Sequence, residues 1–152
     1  PVAQPDSSWR GRACSQPMGI VMGLFWWWPF GKVPELSASQ LDALRRQRGA
    51  LPQLVDVRTP SEWQSGHIAG AVNAPITELG SRIAGLKLDP KRPIVAICRS
   101  AHRSIPAVRL LRQQGFDNAC QLQGGMLAWL KAGLETEGDG SAPPPRAGGA
   151  KP

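Results

Sequence analysis

Ile94-Val95-Ala96-Ile97-Cys98-Arg99-Ser100-Ala101-His102-Arg103-Ser104 is the stretch on which the reading of this chain turns. Its first four residues are all apolar and mostly β-branched, the pattern of a strand buried on both faces at the centre of a parallel sheet. A polar run interrupts them. From Ser104 the apolar residues Ile105, Val108 and Leu111 recur at helical spacing, and Gly115 supplies a stop. The polar run is therefore a tight loop at the carboxyl end of a central strand, the end at which open α/β sheets bind their ligands.

Working outward, the same alternation of short apolar runs and helical ones recurs from Pro34 onward and points to an α/β fold. Ser37-Ala38-Ser39-Gln40 has the form of a capping box, with Leu36 and Leu41 placed as the hydrophobic staple, and predicts a helix to about Arg48 closed by Gly49. Gln53 to Val57 reads as a buried strand. Thr59-Pro60-Ser61-Glu62 repeats the start signal with proline at the first helical position, and Gly66 ends that short helix. Ala71 to Ala74 reads as a brief strand and Ile76 to Leu86 as a helix carrying Ile76, Leu79, Ile83 and Leu86 on one side. Ala119 to Leu122 is a last strand, and Gly125 to Ala132 a last helix ending at Gly133.

The length, 152 residues, suits one domain plus tails. We place the domain at 34–137, an N-terminal tail at 1–33 and a disordered Gly/Pro-rich tail at 138–152, where eight of fifteen residues are Gly or Pro. Lys plus Arg 18 against Asp plus Glu 11 gives a net charge of +7, but the basic residues are not clustered, so no nucleic-acid partner is expected. Three cysteines without paired spacing and only two histidines fit neither a disulfide scaffold nor a metal site. A cytoplasmic location with unpaired cysteines is the expectation, with no cofactor and no metal. The apolar segment Met18 to Phe30 is too short to cross a bilayer as a helix, and the residues after it offer no small-residue cleavage pattern. Five of the nine aromatics of the chain lie within residues 25–30, with basic residues on either side. That arrangement suits weak contact with a membrane surface through 18–30, and equally an arm packed on the domain or a homodimer contact.

The chemistry is expected at Cys98. A lone cysteine after an apolar strand is most often a small buried hydrophobe. Its company argues otherwise, because two Arg, one His and two Ser within the next six residues are a poor way to line a core. A free thiol ionises near pH ~8.5, so loop amides, arginines and a helix start that favour the thiolate multiply the nucleophile available at neutral pH. Cys120, within an apolar strand, reads as structural, and Cys14 as incidental.

Three segments in order carry a resemblance to the single-domain rhodaneses, the thiosulfate-type sulfurtransferases. Leu54-Val55-Asp56-Val57-Arg58 with Glu62-Trp63 and Gly66-His67-Ile68-Ala69-Gly70-Ala71-Val72-Asn73 resembles the first signature of the family. Cys98 to Ser104 resembles its active-site loop, and Leu122-Gln123-Gly124-Gly125-Met126-Leu127-Ala128-Trp129 its closing signature.

The resemblance implies a rhodanese-like three-layer α/β/α fold around a central, mostly parallel five-stranded sheet. It also implies catalysis through a Cys98 persulfide, which takes sulfane sulfur from thiosulfate or a persulfide donor and passes it to cyanide or a thiol acceptor. On it, Arg99, Ser100, Ala101, His102, Arg103 and Ser104 form the substrate-binding loop, Arg103 acts on the donor, and Asp56 and Arg58 support the loop. The chain departs from the family at Ala101, where glycine is common. A backbone that needs positive φ there would cost an alanine a modest steric penalty. His67 reads as a turn residue bonded to backbone, and Trp63 and Trp129 as packing. Two other classes share this fold. One is a phosphatase or arsenate reductase, but the related phosphatases separate Cys and Arg by five residues where this chain has four between Cys98 and Arg103. Silent interaction modules of this fold usually lack the cysteine.

Overall fold

Each strand is followed by a helix that returns the chain to the same end of the sheet, and all strand pairings are accordingly parallel. The computed structural model describes residues 32–139, apart from 48 and 50. In chain order the elements are β1 (Glu35–Leu36), α1 (Ala38–Arg46), β2 (Gln53–Asp56), α2 (Pro60–Ser65) and β3 (Val72–Asn73). They continue with α3 (Leu79–Arg82), whose chain tightens into a 3-10 turn over Ile83–Leu86, then β4 (Ile94–Ile97), α4 (Ser104–Gln113), β5 (Ala119–Leu122) and α5 (Gly125–Lys131). The sheet order is β1-β5-β4-β2-β3.

The strand β4 is central, with Leu54 and Val55 opposite Val95 and Ala96 on one side and Ala119 and Cys120 opposite Ile94 and Val95 on the other. All four of its residues are buried, as the apolar run requires. Alternation along the strands divides the core in two. Leu54, Val95, Ile97 and Leu122 pack with Leu41 of α1 and with Met126 and Trp129 of α5. Val55, Ala96 and Cys98 pack with Leu79 of α3 and with Ala107, Val108 and Leu111 of α4. The expected three layers are present.

Two helix starts are built as their sequences predict. Ser37 accepts from the Gln40 amide while the Gln40 side chain accepts from the Ser37 amide, and Thr59 and Glu62 repeat the exchange. Leu36 and Leu41 are both buried in the same cluster. Corrections fall on the short elements. The helix expected over 76–86 has only one α-helical turn before it tightens at Ile83; Leu79 and Ile83 are buried as expected, and Gly80 and Gly85 weaken a longer helix. The edge strand β1 was not read at all, since two residues of which one is exposed show no period. Cys120 is buried on β5 in the core cluster with Leu54 and Trp129, the structural place that its apolar strand predicts. Among the described residues no helix is long and apolar enough to cross a membrane. The segment 18–30, Cys14 and most of the C-terminal tail lie outside the described residues.

Candidate active site

The parallel strands bring their carboxyl ends together, and with them Asp56, Cys98 and the turn after Leu122. Cys98 follows the last residue of β4 and shares the α4-facing side of the sheet with Ala96. It is a free thiol and is 1% exposed. Its Sγ lies 3.4 Å from Oγ of Ser104, the buried first residue of α4. The same hydroxyl is 3.0 Å from the Ala101 carbonyl oxygen and 2.8 Å from Oε1 of Gln121 on β5.

The loop backbone is held by the start of α5. The Met126 N–H donates to the Cys98 carbonyl at 2.8 Å and the Leu127 N–H to the Arg99 carbonyl at 3.1 Å. Such an approach leaves no room for a side chain at Gly125, where a Cβ would stand 2.3 Å from the Cys98 oxygen, and Gly125 also has a φ of 59°. This is the physical content of the Gly124-Gly125 pair. The loop reverses at Ala101 with a φ of 74°, so the conformation that usually takes glycine is adopted here by alanine at a cost of roughly 1 kcal/mol. Among the described residues, none of the backbone N–H groups from Arg99 to Arg103 donates to a backbone carbonyl.

Arg103 is committed. Its guanidinium donates to both carboxylate oxygens of Glu62 at 2.7 and 2.8 Å, a bidentate pair between the loop and α2. Hydrogen bonding from Arg103 is the main reason that the Glu62 carboxyl is lowered to about 2, and the capping bonds from Thr59 act in the same direction. The Arg103 charge is reinforced by the same pair and also feels Cys98 and Asp56. The pair forms because the first turn of α2 packs beside the loop. Arg99, Ser100 and His102 are exposed at the rim.

Asp56 and Arg58 are both buried and bond to each other, with Arg58 Nη2 2.7 Å from the carboxylate and 2.7 Å from the Gly66 carbonyl oxygen. Asn73 Nδ2 donates to the carbonyls of Asp56 and Arg58. These residues fix the path from β2 to α2, the helix that carries Glu62. His67 sits as expected in a turn, its Nδ1 2.9 Å from the Trp63 carbonyl oxygen and its ring stacked on Trp63. Trp129 is buried, and its indole donates to the Glu135 carbonyl at 2.9 Å.

Two participants were missed in the sequence. Glu62 carries a helix-start signal and a place in the first family segment, but nothing local announces Arg103 as its partner. Gln121 was visible, as a polar residue in an otherwise apolar strand that must find a buried partner. Among the described residues no group of His, Cys, Asp and Glu could hold a metal ion.

Residues 37–132 match a family model described as rhodanese-like domain. An HTH-type transcriptional regulator of Mycobacterium tuberculosis is 43% identical over 106 residues, covering 68% of this chain but only 46% of the regulator. The thiosulfate sulfurtransferase GlpE of Shewanella oneidensis is 35% identical over 97 residues, 64% of this chain and 92% of that protein. The solution structure of the rhodanese-like domain of an Anabaena protein superposes with a TM-score of 0.63 at 33% identity, over 79% of this chain and 91% of that one.

Proposed function

The chain belongs to the rhodanese family, and from that premise we propose that it is a sulfurtransferase working through a Cys98 persulfide. The observation that carries the reading is the free Cys98 thiol at the end of β4, in a loop whose first two carbonyls are pinned by α5. Similarity to proteins named as sulfurtransferases supports the same class.

The Cys98 thiolate attacks the outer sulfur of thiosulfate; a sulfur–sulfur bond forms to Cys98 and the bond to the sulfonate sulfur breaks, releasing sulfite. The product is an ionised persulfide. Cyanide or a thiolate then attacks its terminal sulfur, leaving as thiocyanate or a new persulfide and returning the Cys98 thiolate. Two half-reactions on one nucleophile predict ping-pong kinetics. Backbone amides from Arg99 to Arg103 are the donors best placed along the sequence to hold the persulfide, and Arg99 and His102 at the rim suit an anionic donor. Arg103 contributes field at Cys98 and rigidity through Glu62. With its charge matched by that carboxylate, the loop is a poor cradle for a phosphate.

Intact mass after thiosulfate treatment tests the reading. The expected result is a gain of one sulfur atom, absent in Cys98→Ser and removed by cyanide. Failure to load sulfur with Cys98 intact would favour a silent interaction module, and Cys98-dependent hydrolysis of an aryl phosphate would favour a phosphatase. The Trp-rich segment 18–30 is proposed separately as a weak contact for anionic membrane surfaces, with the domain on the cytoplasmic side.

A further inference from the structure

The Ser104 hydroxyl has one proton and three neighbours able to accept it: the Ala101 carbonyl at 3.0 Å, Gln121 Oε1 at 2.8 Å and the Cys98 sulfur at 3.4 Å. Which neighbour receives it depends on how the buried Gln121 amide is turned. That orientation is settled at the far end of the amide, where Gln121 Nε2 lies 3.1 Å from Glu35 Oε2 on the edge strand β1. A carboxylate only accepts, so the NH2 must face Glu35 and the carbonyl oxygen must face Ser104. The Glu35 carboxylate is itself held by Gln123 Nε2 at 2.9 Å. Four side chains thus run in line from an exposed carboxylate to the buried sulfur.

We propose that Gln121 is a positioning residue for Cys98: its carboxamide oxygen, oriented by Glu35, holds the Ser104 proton away from the sulfur. In the thiol state the Cys98 S–H donates to Ser104 Oγ. When that proton leaves to solvent, the thiolate keeps its lone pairs largely undonated, because the hydroxyl remains bonded to Gln121. Such a sulfur is more basic and more nucleophilic than one that receives a hydrogen bond. Removing the Gln121 acceptor leaves only the Ala101 carbonyl to compete with a charged sulfur, and charge-assisted bonds are the stronger. The hydroxyl then turns to the thiolate and favours it.

The other charges around Cys98 stay in place when Gln121 changes. They are Arg103 of the loop, held by Glu62 of α2, and the pair of Asp56 at the end of β2 with Arg58. Arg99 and His102 lie exposed on the loop, and the first turn of α5 carries no charge.

The inference rests on Cys98 as the reacting group of the proposed sulfurtransferase, and its test does not need sulfur transfer. Iodoacetamide alkylation of Cys98 in the full chain is followed by mass across pH in wild type, Gln121→Met and Glu35→Ala. In Gln121→Met the midpoint falls by about half a unit to one unit, roughly three- to tenfold more thiolate below it. The rate at the high-pH plateau falls as well, an inverse pair that a merely loosened loop would not produce. Glu35→Ala, at an exposed position, moves both in the same direction because the amide is free to turn; it decides the matter if Gln121→Met does not fold. An unchanged or raised midpoint in the folded variants overturns the proposal. Loss of sulfur loading with the wild-type titration intact would count against the sulfurtransferase reading alone.

Discussion

Replacing Gly125 with alanine tests how the loop is held. The added Cβ would lie 2.3 Å from the Cys98 carbonyl oxygen and 2.7 Å from both the carbonyl carbon and oxygen of Arg99. Ordinary contact begins near 3.4 Å, so the loop carbonyl must retreat by the difference, 1.1 Å. A retreat of that size stretches the 2.8 Å bond from the Met126 amide to 3.9 Å, past the limit of a hydrogen bond, and the bond from Leu127 goes with it. Two lost backbone bonds at about 1 kcal/mol each, with about 1 kcal/mol for alanine at a φ of 59°, give a destabilisation of roughly 3 kcal/mol. For a domain of this size that lowers Tm by roughly 12 to 24 °C. Since the carbonyl that moves belongs to Cys98, sulfur transfer should fall by about 100-fold even where the protein is folded. Thermal denaturation together with steady-state transfer from thiosulfate to cyanide measures both. A variant with Tm within about 2 °C of wild type and turnover within about twofold would refute the claim that α5 positions the loop.

Other expectations concern the same loop. Cys98→Ser should abolish transfer with Tm little changed, and residual Cys98-independent turnover would move the chemistry elsewhere. Glu62→Ala and Arg103→Ala should each weaken the fold, with the double variant no worse than the poorer single one; additive losses in a double-mutant cycle would show that the pair is not coupled. Because the folded Glu62 carboxyl is lowered from 4.5 to about 2, its contribution is complete above pH 4.5 and is lost as the pH falls toward 2. Acid titration of stability should therefore be flatter over that window in Glu62→Gln, and an unaltered slope would contradict the pairing. Ala101→Gly removes the steric cost of a φ of 74° and should raise stability by about 0.5 kcal/mol net of the greater freedom of glycine in the unfolded chain, with transfer maintained. A drop in Tm would show that the loop does not need that conformation. Flotation with anionic liposomes should be lost by a chain starting at Lys32 that still transfers sulfur, and equal flotation of the two would end the membrane proposal.

Features governed by nearest neighbours along the chain are legible before any folding. A mostly β-branched apolar run of four residues between polar stretches favours a buried strand, and Ser37 and Thr59 with their partners three residues on favour helix starts through purely local bonds. The same local logic placed Cys98 at a strand end before a helix, whereas the attention to Ala101, whose φ is 74°, came from the family resemblance. What the tertiary structure decided is how groups distant along the chain meet. Arg103 and Glu62 are 41 residues apart, and Gln121 reaches Glu35 across 86, so neither contact leaves a periodic or capping signal. Gly125 shows the division within one residue: the doubled glycine was legible as a helix start, but the reason for it, a carbonyl of the Cys98 loop lying where a side chain would be, exists only once β4 and β5 are packed side by side.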